Sequence, residues 1–404
     1  MRRYLLTLFV RFFVAVSGFV AFVVSSKLFG AEGRGVIGFG TSLVSIIGLF
    51  ISFNLGRSFL FEVKKNEVLK RKLLPNFLAI NYLLIIIGIV TSILFWFFND
   101  QAMAIIDFPL ILAFTILVPY YLWSVNGNNF FATLNQTSRQ DVIILIQRII
   151  LIIFMLLAFM LNLKNFTTFL FAYAIILGCG ALSEMLFLGS PLRGFSQVFR
   201  IGSYIFDSKY VHIDYLAFNL FPLILILLAA SFLKLPQLGI LNFVIQLINF
   251  VFILSMVASI RMKTYVAEKG VAQYLGSIKK LFVLTFALSI FMIAFIYIFL
   301  STEFFRTYFS SFGDVAPYFL ISSLAVPGFI AYQFIYPILI EYNQIVFSMR
   351  INLLIFIALV SLTYPVLNFY GLLGGVSLFA LFYLLVLLAQ FYLYKRLRSM
   401  LIRN

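Results

Sequence analysis

A chain of 404 residues that is 64% hydrophobic and only 10% charged, with a mean hydropathy of +1.12, is not a soluble domain; soluble domains average about 45–50% apolar and roughly 25% charged residues. The formal charge of +16 invites comparison with nucleic-acid-binding proteins, but the placement of the basic residues described below argues against that class. A single cysteine, Cys179, excludes an intramolecular disulfide and a cysteine-based metal cluster.

Apolar stretches of about 20 residues, the length that crosses a hydrocarbon core of roughly 30 Å, recur along the chain. They lie near 5–28, 36–61, 74–98, 107–129, 142–163, 167–188, 209–231, 238–260, 280–300, 315–340, 350–368 and 371–394. Each is continuously apolar and does not alternate, which predicts helices and not a barrel. The first stretch imitates a signal peptide, but Arg11 interrupts it, it is too long, and no clean small-residue cleavage site follows. It is therefore read as a retained span. Twelve spans place both termini on one side.

Of the 29 Lys and Arg, only Lys27, Arg34, Lys164, Lys234 and Arg306 fall on the opposite side, and Arg11, Arg57 and Arg148 fall inside spans. This bias puts the termini in the cytoplasm by the positive-inside rule. The longest connections, near 62–73, 189–208 and 261–279, are basic and cytoplasmic. No soluble domain is expected on either side.

A shift of 204 residues pairs Gly35 with Gly239, Phe39 with Phe243, Leu43 with Leu247, Arg57 with Arg261 and Lys65 with Lys269. It also brings the first span onto the seventh and the second onto the eighth. The expected fold is an all-α membrane protein of twelve transmembrane helices in two pseudo-symmetric six-helix lobes, residues 1–200 and 201–404, around a central cavity. An even number of spans per half gives parallel repeats related by an axis along the membrane normal.

Polar residues inside spans are the candidates for function. The second span places Gly38, Ser42, Ser45 and Ser52 on one helical face, and the eighth places Asn242, Gln246 and Asn249 at equivalent positions. Amides facing lipid would be left unpaired, at high cost. Two readings of this stripe stand: hydrogen bonds between helices, or the polar wall of a cavity. Arg11, Arg57 and Arg148 lie in one layer near the cytoplasmic ends of their spans, with Arg261 as the repeat-mate of Arg57. Such side chains can snorkel to the interface, or their guanidinium forks can receive an anionic headgroup.

Glu184 and Asp214 are the carboxylates placed to couple an ion, although helix ends also carry polar residues for purely interfacial reasons. His212 lies two residues from Asp214, a spacing that does not bring two side chains together on a helix. Pro119, Pro222, Pro327 and Pro337 fall inside spans and predict kinks, with Pro222 the preferred hinge. Tyr120, Tyr121, Trp123, Asn126, Asn128 and Asn129 in the fourth span, and Tyr332, Gln333 and Tyr336 in the tenth, supply further aromatic and amide groups. No phosphate-binding glycine loop, zinc pair or nucleophile elbow is present, so no enzyme, cofactor or metal site is expected.

Residues 27–63, KLFGAEGRGVIGFGTSLVSIIGLFISFNLGRSFLFEV, resemble the first loop and second span of the polysaccharide-export flippases. Members of that family show an "LG-x-x-GRG" turn, here Leu28 to Gly35 with Phe29 as a departure. The following apolar helix ends in "GLG", here Asn54, Leu55 and Gly56 with Asn54 as a departure. The motif covers about a tenth of the chain, and the twelve-span topology extends the likeness over its length.

The resemblance implies a member of the multidrug/oligosaccharidyl-lipid/polysaccharide exporter superfamily. In its O-antigen and capsule branch, the cargo is an undecaprenyl-pyrophosphate-linked oligosaccharide. It moves from the cytoplasmic to the outer leaflet of the bacterial inner membrane, by ion-coupled antiport. By position, the anionic part of such a cargo maps onto Arg11, Arg57, Arg148 and Arg261, and its sugars onto Ser42, Ser45, Asn242, Gln246 and Asn249. The partners implied are membrane lipid, a polysaccharide polymerase and a chain-length regulator, without nucleic acid. A drug or cation exporter of the same fold, which would need acidic residues deep in its cavity, is the alternative. A membrane-embedded polymerase lacks its expected outer loop here, and a lipid II flippase would normally add two further spans.

Overall fold

The computed structural model describes residues 2–65, 69–98, 105–189, 209–269, 271–342 and 344–403. Almost all of them are helical. In chain order the elements are α1 (Arg2–Ile51), α2 (Leu55–Lys65), α3 (Leu69–Phe97), α4 (Phe108–Ile116), α5 (Val118–Thr133), α6 (Thr137–Met160) and α7 (Phe166–Leu188). They continue with α8 (Lys209–Ala229), α9 (Leu235–Lys269), α10 (Val271–Ser301), α11 (Glu303–Tyr308), a 3-10 turn at Ser310–Phe312, α12 (Ala316–Ser323), α13 (Val326–Glu341) and α14 (Ile345–Arg403). Apart from Gly189, the connection 189–208 lies outside the described residues.

Ten helical stretches among the described residues are long and apolar enough to cross a membrane. The first and last are too long for one crossing. With 50 residues, α1 would run about 75 Å at 1.5 Å per residue, more than twice the hydrocarbon thickness. It bends at Gly30 (φ 63°, ψ −163°), and α14 bends at Gly371 (φ 53°, ψ −129°). Both conformations lie where a side chain is strained, which is why glycine occupies the bends.

Pro119 and Pro327 fall inside the apolar stretches Phe108–Thr133 and Ala316–Ile340, as expected. They stand in the first turns of α5 and α13 and divide the predicted spans 107–129 and 315–340 into two helices each. A proline costs little in the first turn, where its missing N–H has no helical partner. Pro222 and Pro337 lie inside α8 and α13.

The chain forms two compact units: Met1–Phe29 with Val36–His212, and Gly30–Gly35 with Ile213–Asn404. Unit 1 holds a core of Phe59, Phe77, Trp123, Phe130 and their neighbours. In unit 2, Phe218 stacks on Tyr332 at 3.6 Å, and Phe252 on Phe329 at 3.9 Å.

Gly30–Gly35 explains the glycine-rich turn of the sequence. A Cβ on Gly35 would overlap the carbonyl oxygen of Leu235, and one on Gly239 would overlap that of Ala31. The same Cβ atoms would lie 3.3 Å from Gly239 N and 3.0 Å from Gly35 N, respectively. Ala31 and Leu235 are themselves 204 residues apart, so the contact is reciprocal, as a local twofold requires. Asn242 Nδ2 donates to Arg34 O at 3.0 Å, and Ala31 N to Ser311 Oγ at 3.2 Å.

The "NLG" segment also has a local cause. Phe53 (φ 43°) and Asn54 (φ 51°) adopt the left-handed conformation and break the helix between α1 and α2. Such residues cost roughly 1–2 kcal/mol each. Asn126 offsets that cost from α5. Its amide donates to Ser52 O at 3.2 Å and to Asn81 Oδ1 at 3.0 Å, and its Oδ1 accepts from Gly56 N at 3.1 Å. Gly56 packs directly on the Asn126 backbone, where a Cβ would have no room.

Candidate functional site

Four helices of unit 1 enclose a cavity of about 530 Å³ of empty space, open solvent included. Arg11 enters from α1, Tyr120, Trp123 and Asn128 from α5, Gln140 and Arg148 from α6, and Glu184 from α7. Three residues of the sequence-based set, Arg11, Arg148 and Glu184, thus meet around one space.

The local packing explains their placement. Gln147 Nε2 donates to the backbone carbonyls of Ile176 (3.3 Å) and Leu177 (3.1 Å) on α7. Gly180 leaves room for that amide; a Cβ there would overlap it. α6 and α7 run antiparallel across this junction. Two turns toward the start of α6 and two turns further along α7, the same register sets Gln140 opposite Glu184. Their side chains meet at 2.9 Å, Gln140 Nε2 to Glu184 Oε2. On α5, the Trp123 indole lies over Gly127 and stacks on Phe130 at 5.6 Å. Its Nε1 then reaches Glu184 Oε2 at 3.1 Å.

The charges are held by neutral groups. Arg11 Nη2 donates to Asn128 Oδ1 at 2.7 Å, and that oxygen also accepts from Gln140 Nε2 at 3.0 Å. Arg148 Nη2 donates to Tyr120 OH at 3.0 Å, with the guanidinium 5.7 Å from that ring. Among the described residues, neither arginine forms an ion pair with Glu184. Arg148 is 7% exposed, and the Nε atoms of Arg11 and Arg148 are buried without a hydrogen-bond partner. A guanidinium carries five N–H donors and no acceptor, so these buried Nε groups are left unsatisfied by the protein itself. Asp141, next to Gln140 on α6, is also buried and acts electrostatically on Arg11.

The other residues of the set lie elsewhere. Arg57 is half-buried on α2 and does not line this cavity. Ser42 and Ser45 are buried, and Thr41 Oγ1 donates to Ile37 O at 2.6 Å. Asn242 is spent on Arg34 O, whereas Gln246 and Asn249 are exposed. The proposed stripe on the eighth span therefore divides into one structural amide and two open ones. The side chain of Arg261 lies outside the described residues.

Asp214 forms a separate cluster in unit 2. Its Oδ2 accepts from Tyr332 OH at 3.0 Å, and its Oδ1 from Ser348 Oγ at 3.0 Å and Asn352 Nδ2 at 2.9 Å. Asn352 Oδ1 is buried beside it without a partner. His212 turns elsewhere, 6.0 Å from the ring of Phe53. Among the described residues, no group of three His, Cys, Asp or Glu could hold a metal ion.

Sequence reasoning did not single out Gln140, Asp141, Gln147, Ser348 or Asn352. Gln140 and Gln147 were legible as a stripe with Arg148, seven and eight residues from Gln140 on one face of a helix. The predicted span began only at Val142, so the polar first turn of α6 was assigned to a loop.

No family profile and no curated protein sequence matches the chain. Solved structures do. An inward-facing multidrug resistance MATE family transporter of the MOP superfamily aligns over 99% of both chains, with a TM-score of 0.64 at 15% identity. The lipid II flippase MurJ in an inward closed conformation covers 95% of this chain and 87% of its own, with a TM-score of 0.61 at 12% identity. The MATE multidrug transporter DinF-BH, in a ligand complex, covers 97% and 94%, with a TM-score of 0.59 at 15% identity.

The fold is that of the MOP superfamily transporters. The MOP fold places this chain among multi-pass, all-helical membrane proteins, and at these identities the likeness extends to the fold alone.

Proposed function

We propose that the chain is a flippase that moves an undecaprenyl-pyrophosphate-linked oligosaccharide from the cytoplasmic to the outer leaflet of a bacterial inner membrane. The single observation that carries this reading is the unit 1 cavity, where Arg11 and Arg148 hydrogen-bond the neutral side chains of Asn128 and Tyr120 and each keeps a buried Nε without a partner. A diphosphate is the ligand that such forks suit best. The solved MurJ structure, described as a lipid II flippase, makes a lipid-linked cargo compatible with the fold.

Counting α1 and α14 as two crossings each turns the ten apolar stretches into twelve, six per half, with both termini cytoplasmic. Alternating access of two such lobes moves the headgroup while the polyprenyl tail stays in lipid. Glu184 and Asp214 are the proposed ion-coupling groups; the unfilled oxygen of Asn352 beside Asp214 supports the second assignment. A polysaccharide polymerase and a chain-length regulator would act on the cargo after translocation.

A drug or cation exporter is the second reading. Glu184 in the cavity favours it, since an acidic group there is what such an exporter needs. Reconstitution decides between them. Proteoliposomes should translocate a fluorescent polyprenyl-pyrophosphate oligosaccharide, and Arg11→Ala with Arg148→Ala should abolish that movement without loss of folded protein. Unimpaired translocation by the double variant, or transport of a cationic dye such as ethidium in place of the lipid-linked sugar, overturns the flippase reading.

A further inference from the structure

The unit 1 cavity contains both signs of charge, and elementary electrostatics says that they should collapse onto each other. A guanidinium and a carboxylate that share a site of low dielectric attract strongly, and a closed Arg–Glu pair would leave little for a cargo anion. The structure holds them apart through a chain of neutral amides. Arg11 Nη2 reaches Asn128 Oδ1 (2.7 Å), and Asn128 Oδ1 accepts from Gln140 Nε2 (3.0 Å). The same Gln140 Nε2 donates to Glu184 Oε2 (2.9 Å), which also accepts from Trp123 Nε1 (3.1 Å). Gln140 links Asn128, the partner of Arg11, to Glu184.

Its position is not adjustable. Gln140 is 3% exposed, and the Gln147–Gly180 junction two turns away sets the register of α6 on α7. Gln140 meets Glu184 in the register that the Gln147 contacts and the space at Gly180 hold. Its amide satisfies the carboxylate without a countercharge and orients the Asn128 oxygen toward Arg11.

We infer that Gln140 is a positioning residue for the anion site: it separates Glu184 from Arg11 and so keeps the arginines open to a diphosphate. This rests on the reading of the cavity as an anion site. Removing the spacer lets Arg11 turn from Asn128 to Glu184, and the protein's own carboxylate then occupies the place of the cargo. Neutralising Glu184 as well removes the competitor and should restore binding, which a merely structural role for Gln140 would not allow.

The test uses the purified full chain in detergent, with farnesyl pyrophosphate as the probe and calorimetric titration as the readout. Wild type should bind. Gln140→Leu should bind at least tenfold more weakly, and Gln140→Leu/Glu184→Gln should return to within about threefold of wild type. Trp123 provides a second signal, because its indole N–H donates to Glu184: in a Trp96→Phe background its emission should shift in Gln140→Leu as the carboxylate swings to Arg11.

Should Gln140→Leu fail to fold, Gln140→Ser carries the same expectations, since its short hydroxyl cannot reach Asn128 and Glu184 together. No binding by wild type removes the anion reading and this inference with it. Equal binding by wild type and the Gln140 variant overturns the inference and leaves the anion reading intact. Loss of binding that Glu184→Gln does not restore makes Gln140 a packing residue and also overturns it.

Discussion

Glu184 in unit 1 and Asp214 in unit 2 are both buried carboxylates on apolar helices, yet their surroundings differ in kind. Asp214 is fully buried among a phenol, a hydroxyl and an amide from α13 and α14. Glu184 accepts from an amide and an indole, and its remaining face looks into a cavity that two arginines also line. Burial alone therefore does not define a working carboxylate. What the neighbours leave unfilled does: around Glu184 the open donors belong to cations, whereas beside Asp214 the open atom is an amide oxygen. Under the proposed function, the first arrangement would receive the cargo anion and the second a coupling proton or cation.

The largest effect that would break this contrast is on stability. Asp214→Ala leaves the Tyr332, Ser348 and Asn352 donors without their acceptor, and each buried donor left unsatisfied costs about 1–3 kcal/mol. Glu184→Ala should cost less than half of that, because water in the cavity can reach the donors it strands. Thermal unfolding of both variants in detergent checks the order, and equal losses would erase the distinction between the two sites.

Next comes affinity. Arg148→Ala removes a charge-assisted donor pair, worth about 2 kcal/mol or roughly a 30-fold loss for farnesyl pyrophosphate, and Asp214→Asn should leave that affinity unchanged. A smaller effect of opposite sign is expected from Glu184→Gln. Removing the competing negative charge should tighten the same probe by about 1 kcal/mol, roughly fivefold. Weaker binding in that variant would make Glu184 a part of the anion site and not its competitor.

Smallest is Tyr332→Phe, which deletes one hydrogen bond to Asp214 and keeps the ring stacked on Phe218. It should cost about 1 kcal/mol of stability and nothing in anion affinity. A change in affinity would mean that the two clusters are coupled.

Particular residues show why some of this was readable in advance. Arg11 and Arg148 stood out because a charge inside an apolar run is expensive anywhere in a membrane. Gln140 did not, because its importance comes from what lies across α7, and a polar residue at a helix start is ordinary. Gly56 could be read as part of a motif, but its reason is the backbone of Asn126, seventy positions along the chain. Pro119 and Pro327 were legible as breaks inside spans, and the structure adds that each stands in the first turn of the helix after the break.

Hydropathy by itself determined that this protein is a bundle of apolar helices long enough to cross a membrane, because the bilayer imposes length and polarity on each segment independently of its neighbours. Gly35 and Gly239, which the 204-residue shift pairs in the sequence, pack against each other in the structure. Only the tertiary structure decided which polar groups share a cavity, which are consumed by the backbone, and which carboxylate faces a cation. Those outcomes depend on the register between helices distant in the chain, and close packing sets that register through contacts that no local window of sequence contains.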